Sequence, residues 1–343
     1  MQYKNVEIHN IGEIVPSEKG ITWIRVPKAV FDGVETEGGK DQLQCCTGVE
    51  IRFVIKSGDS AKLIMRCITD ESLDMVPICH VWRGGIQGGW EDHEVNKYIG
   101  RTDTELVIKK TADTEHLRRM TKAAGTQWDG EVIRVIFDRG KFELIDIIGD
   151  VQPPRPDQMP KKTLLSYGSS ITHGSNAIDA SHSWTSQIAH NLDYDLINLG
   201  MAGSCHMEES VADHIASEGE KGNWDVATLE LGINVLDWEN DLIDSRVTNI
   251  ITQVAGRNPD KNIFVISPFY CDDDFTNAGK AANWRKHIKD VVDKLQYKNV
   301  TYINGTDILG EMKYISADAV HPNIYGVQQI ADKLTKIIKQ RTS

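Results

Sequence analysis

The strongest constraint on the fold is a change of pattern across one proline-rich stretch. Residues 150–162 hold Pro153, Pro154, Pro156 and Pro160. Proline fixes φ and has no N–H to donate, so the stretch cannot be a central strand or a helix interior. It reads as a stiff connector, a linker over 151–162. After it, apolar runs at 163–167, 196–199, 226–231, 263–267 and 300–303 alternate with amphipathic segments at 183–191, 209–217, 241–256, 278–295 and 325–341. The last carries Ile330, Leu334, Ile337 and Ile338 on one helical face. Alternating β and α units imply a parallel sheet with helices on both faces.

Before the connector the pattern is different. Short β-rich runs at 21–26, 49–56, 62–69, 77–82, 105–109, 131–137 and 142–148 are separated by turn residues such as Ser57-Gly58-Asp59 and Asp129-Gly130. These predict an antiparallel, jelly-roll-like sandwich with one helix, near 114–123. At 343 residues the chain is too long for one ordinary core. The division expected is an all-β domain over 1–150 and an α/β domain over 163–343.

Charge and composition exclude some functions. A formal net charge of −12 argues against nucleic acid or an anionic membrane as partner, because both need a basic footprint. No apolar run approaches the length of a membrane span. The first residues lack the apolar core of a secretion signal, which points to the cytoplasm. The six cysteines form no CxxC pair and read as free thiols, with Cys45 and Cys46 on opposite faces of a strand.

Chemistry concentrates at the ends of the predicted parallel strands. Gly168-Ser169-Ser170 follows the first, Asn198 to Ser204 the second, and Glu230-Leu231-Gly232-Ile233-Asn234 the third. Asp318-Ala319-Val320-His321-Pro322 precedes the last helix. Carboxyl ends of parallel strands share one edge, so residues 150 positions apart can meet there. Taken singly, each is an ordinary turn or cap residue; their order gives them weight.

That order resembles the SGNH hydrolases, the GDSL esterase family, over about residues 163–340. The resemblance implies a flavodoxin-like three-layer α/β/α domain preceded by a β-sandwich, as in two-domain carbohydrate esterases. It implies Ser170 as nucleophile, His321 as base and Asp318 as its orienting carboxylate. The oxyanion hole would be the backbone N–H groups of Ser170 and Gly203 with the Asn234 amide. Two positions depart from the family pattern: Ser169 stands where aspartate is usual, and Val235 where aspartate often follows the asparagine. Both departures put the hydrogen-bond network around the site in doubt.

Other residues carry weaker signals. Trp184, Tyr270 and Asp272 are candidate substrate contacts, and His173 is placed on the rim. Cys205-His206 lacks a third metal ligand at recognisable spacing. The stretch from His80 to Trp90 reads as a hairpin. The function expected is a short-chain acyl esterase, deacetylating a sugar or glycoside, without metal or cofactor. The alternatives are a lipase or thioesterase-like acylhydrolase on longer chains, or a carbohydrate-binding protein with an idle hydrolase domain. A homo-oligomer stays open.

Overall fold

The computed structural model describes residues 1–70, 77–90 and 92–342. The chain forms two compact units. The first comprises Met1–Lys28, Gln44–Lys161 and Asp193–Asp195; the second comprises Ala29–Leu43, Lys162–Leu192 and Leu196–Ser343.

The first unit is antiparallel. Its spine is one strand, Glu50–Cys67. The beginning of this strand pairs with Val6–His9 and Ile133–Phe137, and the remainder with Phe142–Gln152 and Thr104–Lys109. Ser57-Gly58-Asp59, expected as a turn, does not end it. Instead the register on Phe142–Gln152 jumps from Ile148↔Lys62 to Asp150↔Ser57, which is a bulge. Beyond the bulge Ala61, Leu63, Met65 and Cys67 alternate inward, the period of a half-buried strand. They pack with Val6, Ile8, Phe53, Val135, Phe137 and Phe142 in one core.

Several local readings are corrected. Cys45 and Cys46 follow the helix Glu37–Gln44 rather than occupying a strand. All six cysteines are buried. The proline stretch folds into the first unit: Phe142–Gln152 runs into it, and Gln158 is fully buried, its carbonyl accepting from Asp129 N–H at 2.9 Å. Ile78–Arg83 and Ile86–Gln87 form the hairpin expected there. Trp90 beyond it is 79% exposed.

The second unit has five strands: β1 Thr163–Gly168, β2 Asp195–Gly200, β3 Val226–Glu230, β4 Asn262–Ile266 and β5 Val300–Ile303. Their order is β2-β1-β3-β4-β5, with parallel pairing from β1 through β5. Every residue of β3 is buried, as a central strand covered on both faces requires. Helix Asn240–Arg257 buries Ile243, Val247, Ile250, Ile251 and Val254, and helix Ile324–Thr342 buries Val327, Ile330, Leu334 and Ile338, at three- and four-residue steps. The connections leave β1 and β3 in opposite directions along the sheet. A crevice therefore opens at their carboxyl ends, where such sheets hold ligands. Among the described residues no helix is long and apolar enough to cross a membrane.

The first unit also holds a buried ion network. Arg52, fully buried, donates to Glu50 at 2.7 Å and to both Asp195 oxygens at 2.6 and 2.8 Å. Burial by itself pushes the Glu50 carboxyl up; the guanidiniums of Arg134 and Arg52 outweigh it and hold it at about 2. Replacing one partner of a buried pair strands the other, so Arg52→Met should cost about 3–5 kcal/mol in urea denaturation. A carboxyl depressed in the folded state stabilises above its unfolded value. Wild-type stability should therefore fall between about pH 4.5 and pH 2, and less so in Arg52→Met.

Candidate active site

β1 ends at Gly168, and a four-residue helix, Ser170–His173, begins two positions later. Ser169 between them is extended, and its hydroxyl accepts the Ile171 N–H at 3.1 Å. That is a helix N-cap, satisfying one donor left free in the first turn. Gly168 is required by space. A Cβ there would lie 2.3 Å from Thr172 Oγ1 and 2.6 Å from Glu230 Oε2. Ser170 stands at the carboxyl edge of the sheet with 7% of its surface exposed.

His321 arrives on the loop before helix Ile324–Thr342. Its Nε2 is 2.7 Å from Ser170 Oγ, and its Nδ1 is 2.8 Å from Asp318 Oδ2. A carboxylate at Nδ1 holds the proton on that nitrogen and leaves the Nε2 lone pair facing the hydroxyl. The loop builds this locally. Asp318 Oδ1 accepts N–H bonds from Val320 and His321, both at 2.9 Å, and the Ser316 hydroxyl at 2.7 Å. Asn176 Nδ2 donates to Asp318 Oδ2 at 3.0 Å. Burial pushes the Asp318 carboxyl up, but these backbone and side-chain donors outweigh it and hold it well below the ordinary carboxylate range. Asp318 is thus an anion throughout the neutral range.

The candidate oxyanion donors sit on two further strand ends. Gly203 has φ +64°, and a Cβ would meet nothing within 4 Å; backbone conformation, not space, calls for glycine there. Its loop is tied to both neighbours: Met201 N–H donates to Gly168 O at 2.8 Å, and Cys205 Sγ lies 3.6 Å from Glu230 O. Asn234 Oδ1 accepts the Cys205 N–H at 3.1 Å, which leaves the amide N–H groups as its donating end.

Beneath the turn lies a residue that the motif reading passed over. Glu230 is fully buried, and its Oε2 accepts from Ser169 N–H at 2.8 Å, Ser169 Oγ at 2.7 Å and Thr172 Oγ1 at 3.1 Å. Oε1 has no hydrogen-bond partner among the described residues. Burial pushes this carboxyl up, with the Ser169 and Thr172 donors and His321 pulling it back. The one available signal was a lone carboxylate inside the apolar run 226–231. Asn176 carried no signal, because it reaches Asp318 across 142 residues.

The remaining candidates separate. Trp184 is fully buried at the start of helix Trp184–Leu192 and offers no surface to a ligand. Its apolar bulk fills the core instead. His173, expected on the rim, is buried at 1% exposure because the short helix turns it inward. Tyr270 is half-buried, its N–H bonded to Leu309 O. Asp272 is exposed, and its N–H donates to Ala319 O at 2.7 Å, which sets it beside the Asp318–His321 loop. Its neighbours are committed elsewhere: Asp273 accepts the Ala281 N–H, and Asp274 pairs with Arg285. In the segments that follow Gly203 and Asn234, the His206 and Trp238 rings lie 5.7 Å apart, and Arg246 sits over Trp238 while pairing with Glu35. Among the described residues no three His, Cys, Asp or Glu side chains gather as a metal site.

A doubly covered parallel sheet with a hydroxyl, an imidazole and a carboxylate in line at its carboxyl edge defines an acylhydrolase-type domain. The model of the GDSL-like lipase/acylhydrolase family matches residues 161–339, just over half of the chain. The chain belongs to that family. No curated protein matches it. Among solved structures it is similar to a salicylyl-acyltransferase from a tetracycline biosynthetic pathway, at 16% identity and a TM-score of 0.77, over 98% of this chain and 95% of that one. It is also similar to a family two carbohydrate esterase from Clostridium thermocellum (14% identity, TM-score 0.63, 98% and 99% covered). An acetyl xylan esterase from the rumen bacterium Butyrivibrio proteoclasticus follows (12%, 0.55, 100% and 97%). At these identities the likeness shows the two-part fold.

The crowding at residue 168 yields a direct expectation. Gly168→Ala should cost about 1–3 kcal/mol in chemical denaturation, the usual cost of overpacking, and slow labelling of Ser170 by a fluorophosphonate. Unchanged stability and labelling would show that the turn has slack.

Proposed function

We propose that this chain is a serine esterase that removes short acyl groups, acetyl foremost, from a sugar or glycoside. The observation that carries the reading is the hydrogen-bonded row Ser170–His321–Asp318, at 2.7 and 2.8 Å. Ser170 Oγ attacks the ester carbonyl carbon while His321 Nε2 takes its proton. Asp318 stabilises the imidazolium and is not itself protonated. Negative charge gathers on the carbonyl oxygen, where the N–H groups of Ser170 and Gly203 and the Asn234 amide receive it. The C–O bond then breaks, the alcohol leaves with the proton from His321, and water repeats the sequence on the acyl-enzyme.

Support for a sugar alcohol comes from the aromatic pair His206–Trp238, in the segments that follow Gly203 and Asn234 in the chain. Trp238 is partly exposed, and burial pushes the neighbouring His206 imidazole down, so it is neutral and can both donate and accept. With Glu35 and Arg246 alongside, this is an aromatic surface edged by polar groups, which suits a hydroxylated ring. Proteins of similar fold include a family two carbohydrate esterase and an acetyl xylan esterase, whose substrates are of this class, beside a salicylyl-acyltransferase.

The test is acetate release from acetylated sugars, beside p-nitrophenyl acetate and longer p-nitrophenyl esters. Acetyl esters should be turned over fastest. Ser170→Ala should lose at least about 10⁴-fold in kcat. Asn234→Ala should lose about 10²–10³-fold in kcat, the scale of one oxyanion donor. Trp238→Ala should raise KM for the acetylated sugar and leave p-nitrophenyl acetate nearly unaffected. Full activity in Ser170→Ala would falsify the nucleophile assignment, and a preference for long chains would favour a lipase-like role.

A further inference from the structure

We propose that Glu230 is the positioning residue for the nucleophile: a single carboxyl oxygen, delivered by β3, holds the 168–172 turn in the shape that aims Ser170 at His321. The proposal rests on Ser170 being the nucleophile, as argued above. Three donors converge on Glu230 Oε2, two from Ser169 and one from Thr172, so both residues that bracket Ser170-Ile171 are tied to one point. The Ser169 hydroxyl is used twice, accepting from Ile171 N–H and donating to Glu230, which couples the helix cap to the carboxyl. Gly168 lacks a Cβ where the same oxygen approaches. Gly168, Ser169, Thr172 and Glu230 are therefore one set of matched residues. They account for a serine at 169, where the resembling family has aspartate: the carboxyl missing from that position is supplied from across the strand pair.

The consequence is kinetic. Glu230 is fully buried and presents no surface to a ligand, so its loss should act on the reacting geometry and not on binding. A misplacement of about 1 Å at a nucleophile can cost roughly 10²-fold in rate. An amide at 230 keeps an accepting oxygen but places an NH2 either against the three donors or at the partnerless Oε1 position. Restoring a carboxylate at 169 would give that NH2 an acceptor and put an anion back under the turn.

The test compares wild type, Glu230→Gln, Glu230→Ala and the double variant Ser169→Asp/Glu230→Gln. The readouts are the rate of Ser170 phosphonylation by a fluorophosphonate and steady-state turnover of p-nitrophenyl acetate, with thermal melts to show that each protein is folded. Glu230→Gln should lose about 10²-fold in kcat and phosphonylation rate with KM within about two-fold of wild type. The double variant should recover at least about ten-fold of that loss. Wild-type rates in Glu230→Gln overturn the proposal, and so does a folded double variant no faster than Glu230→Gln. If Glu230→Ala does not fold, the amide and double variants decide the matter. Wild-type protein that is not phosphonylated at Ser170 also overturns it, since no activated hydroxyl would exist to be positioned. Labelling at Ser170 without acetate release from any acetylated sugar defeats only the substrate assignment.

Discussion

A chain that leaves a buried strand and enters a helix within two residues must satisfy several demands at once. The helix start has free N–H groups, the linking residue must be extended, and the strand end must approach its neighbour without a side chain. Here Ser169 caps the helix, Gly168 makes room, and Glu230 binds the whole turn from below. The position of the Ser170 hydroxyl at the sheet edge follows from that one arrangement. Sheet order then brings the other strand ends to it, because β1 and β3 are neighbours whose connections run opposite ways.

Two carboxyls near His321 sit in contrasting surroundings. Asp318 is held by three donors on a short loop, by the distant Asn176 amide and by the imidazole, and stays strongly acidic. Glu230 has its donors on one oxygen only and is wholly enclosed, so its carboxyl moves the other way. Pairs of groups pushed apart by environment are how one site assigns different tasks to the same chemistry. Asp318 faces the His321 ring, whereas Glu230 faces the turn that carries the Ser170 hydroxyl.

Much of this was legible in the chain. The change of pattern at the prolines separated β-rich from alternating βα segments, and the five parallel strands lie within two residues of their expected places. Strand and helix periods are local properties, so they survive into any fold that buries the same faces. The short helices Lys28–Asp32 and Glu37–Gln44 escaped, since Gly38 and Gly39 weaken the pattern and Leu43 is the one buried apolar residue in the second of them. The bulge after Ser57 likewise looked like a turn, because both use the same residues.

By itself the sequence determined the element types, the order of the four motifs and the Asp318–His321 loop, whose bonds span only two to five residues. Only the tertiary structure decided that Trp184 and His173 are core, that Asn176 reaches Asp318, and that residues 29–43 fold with the second unit. It also decided the role of Glu230, whose partners lie about sixty residues away. Burial and long-range hydrogen bonding depend on which strands become neighbours, and no local period encodes that.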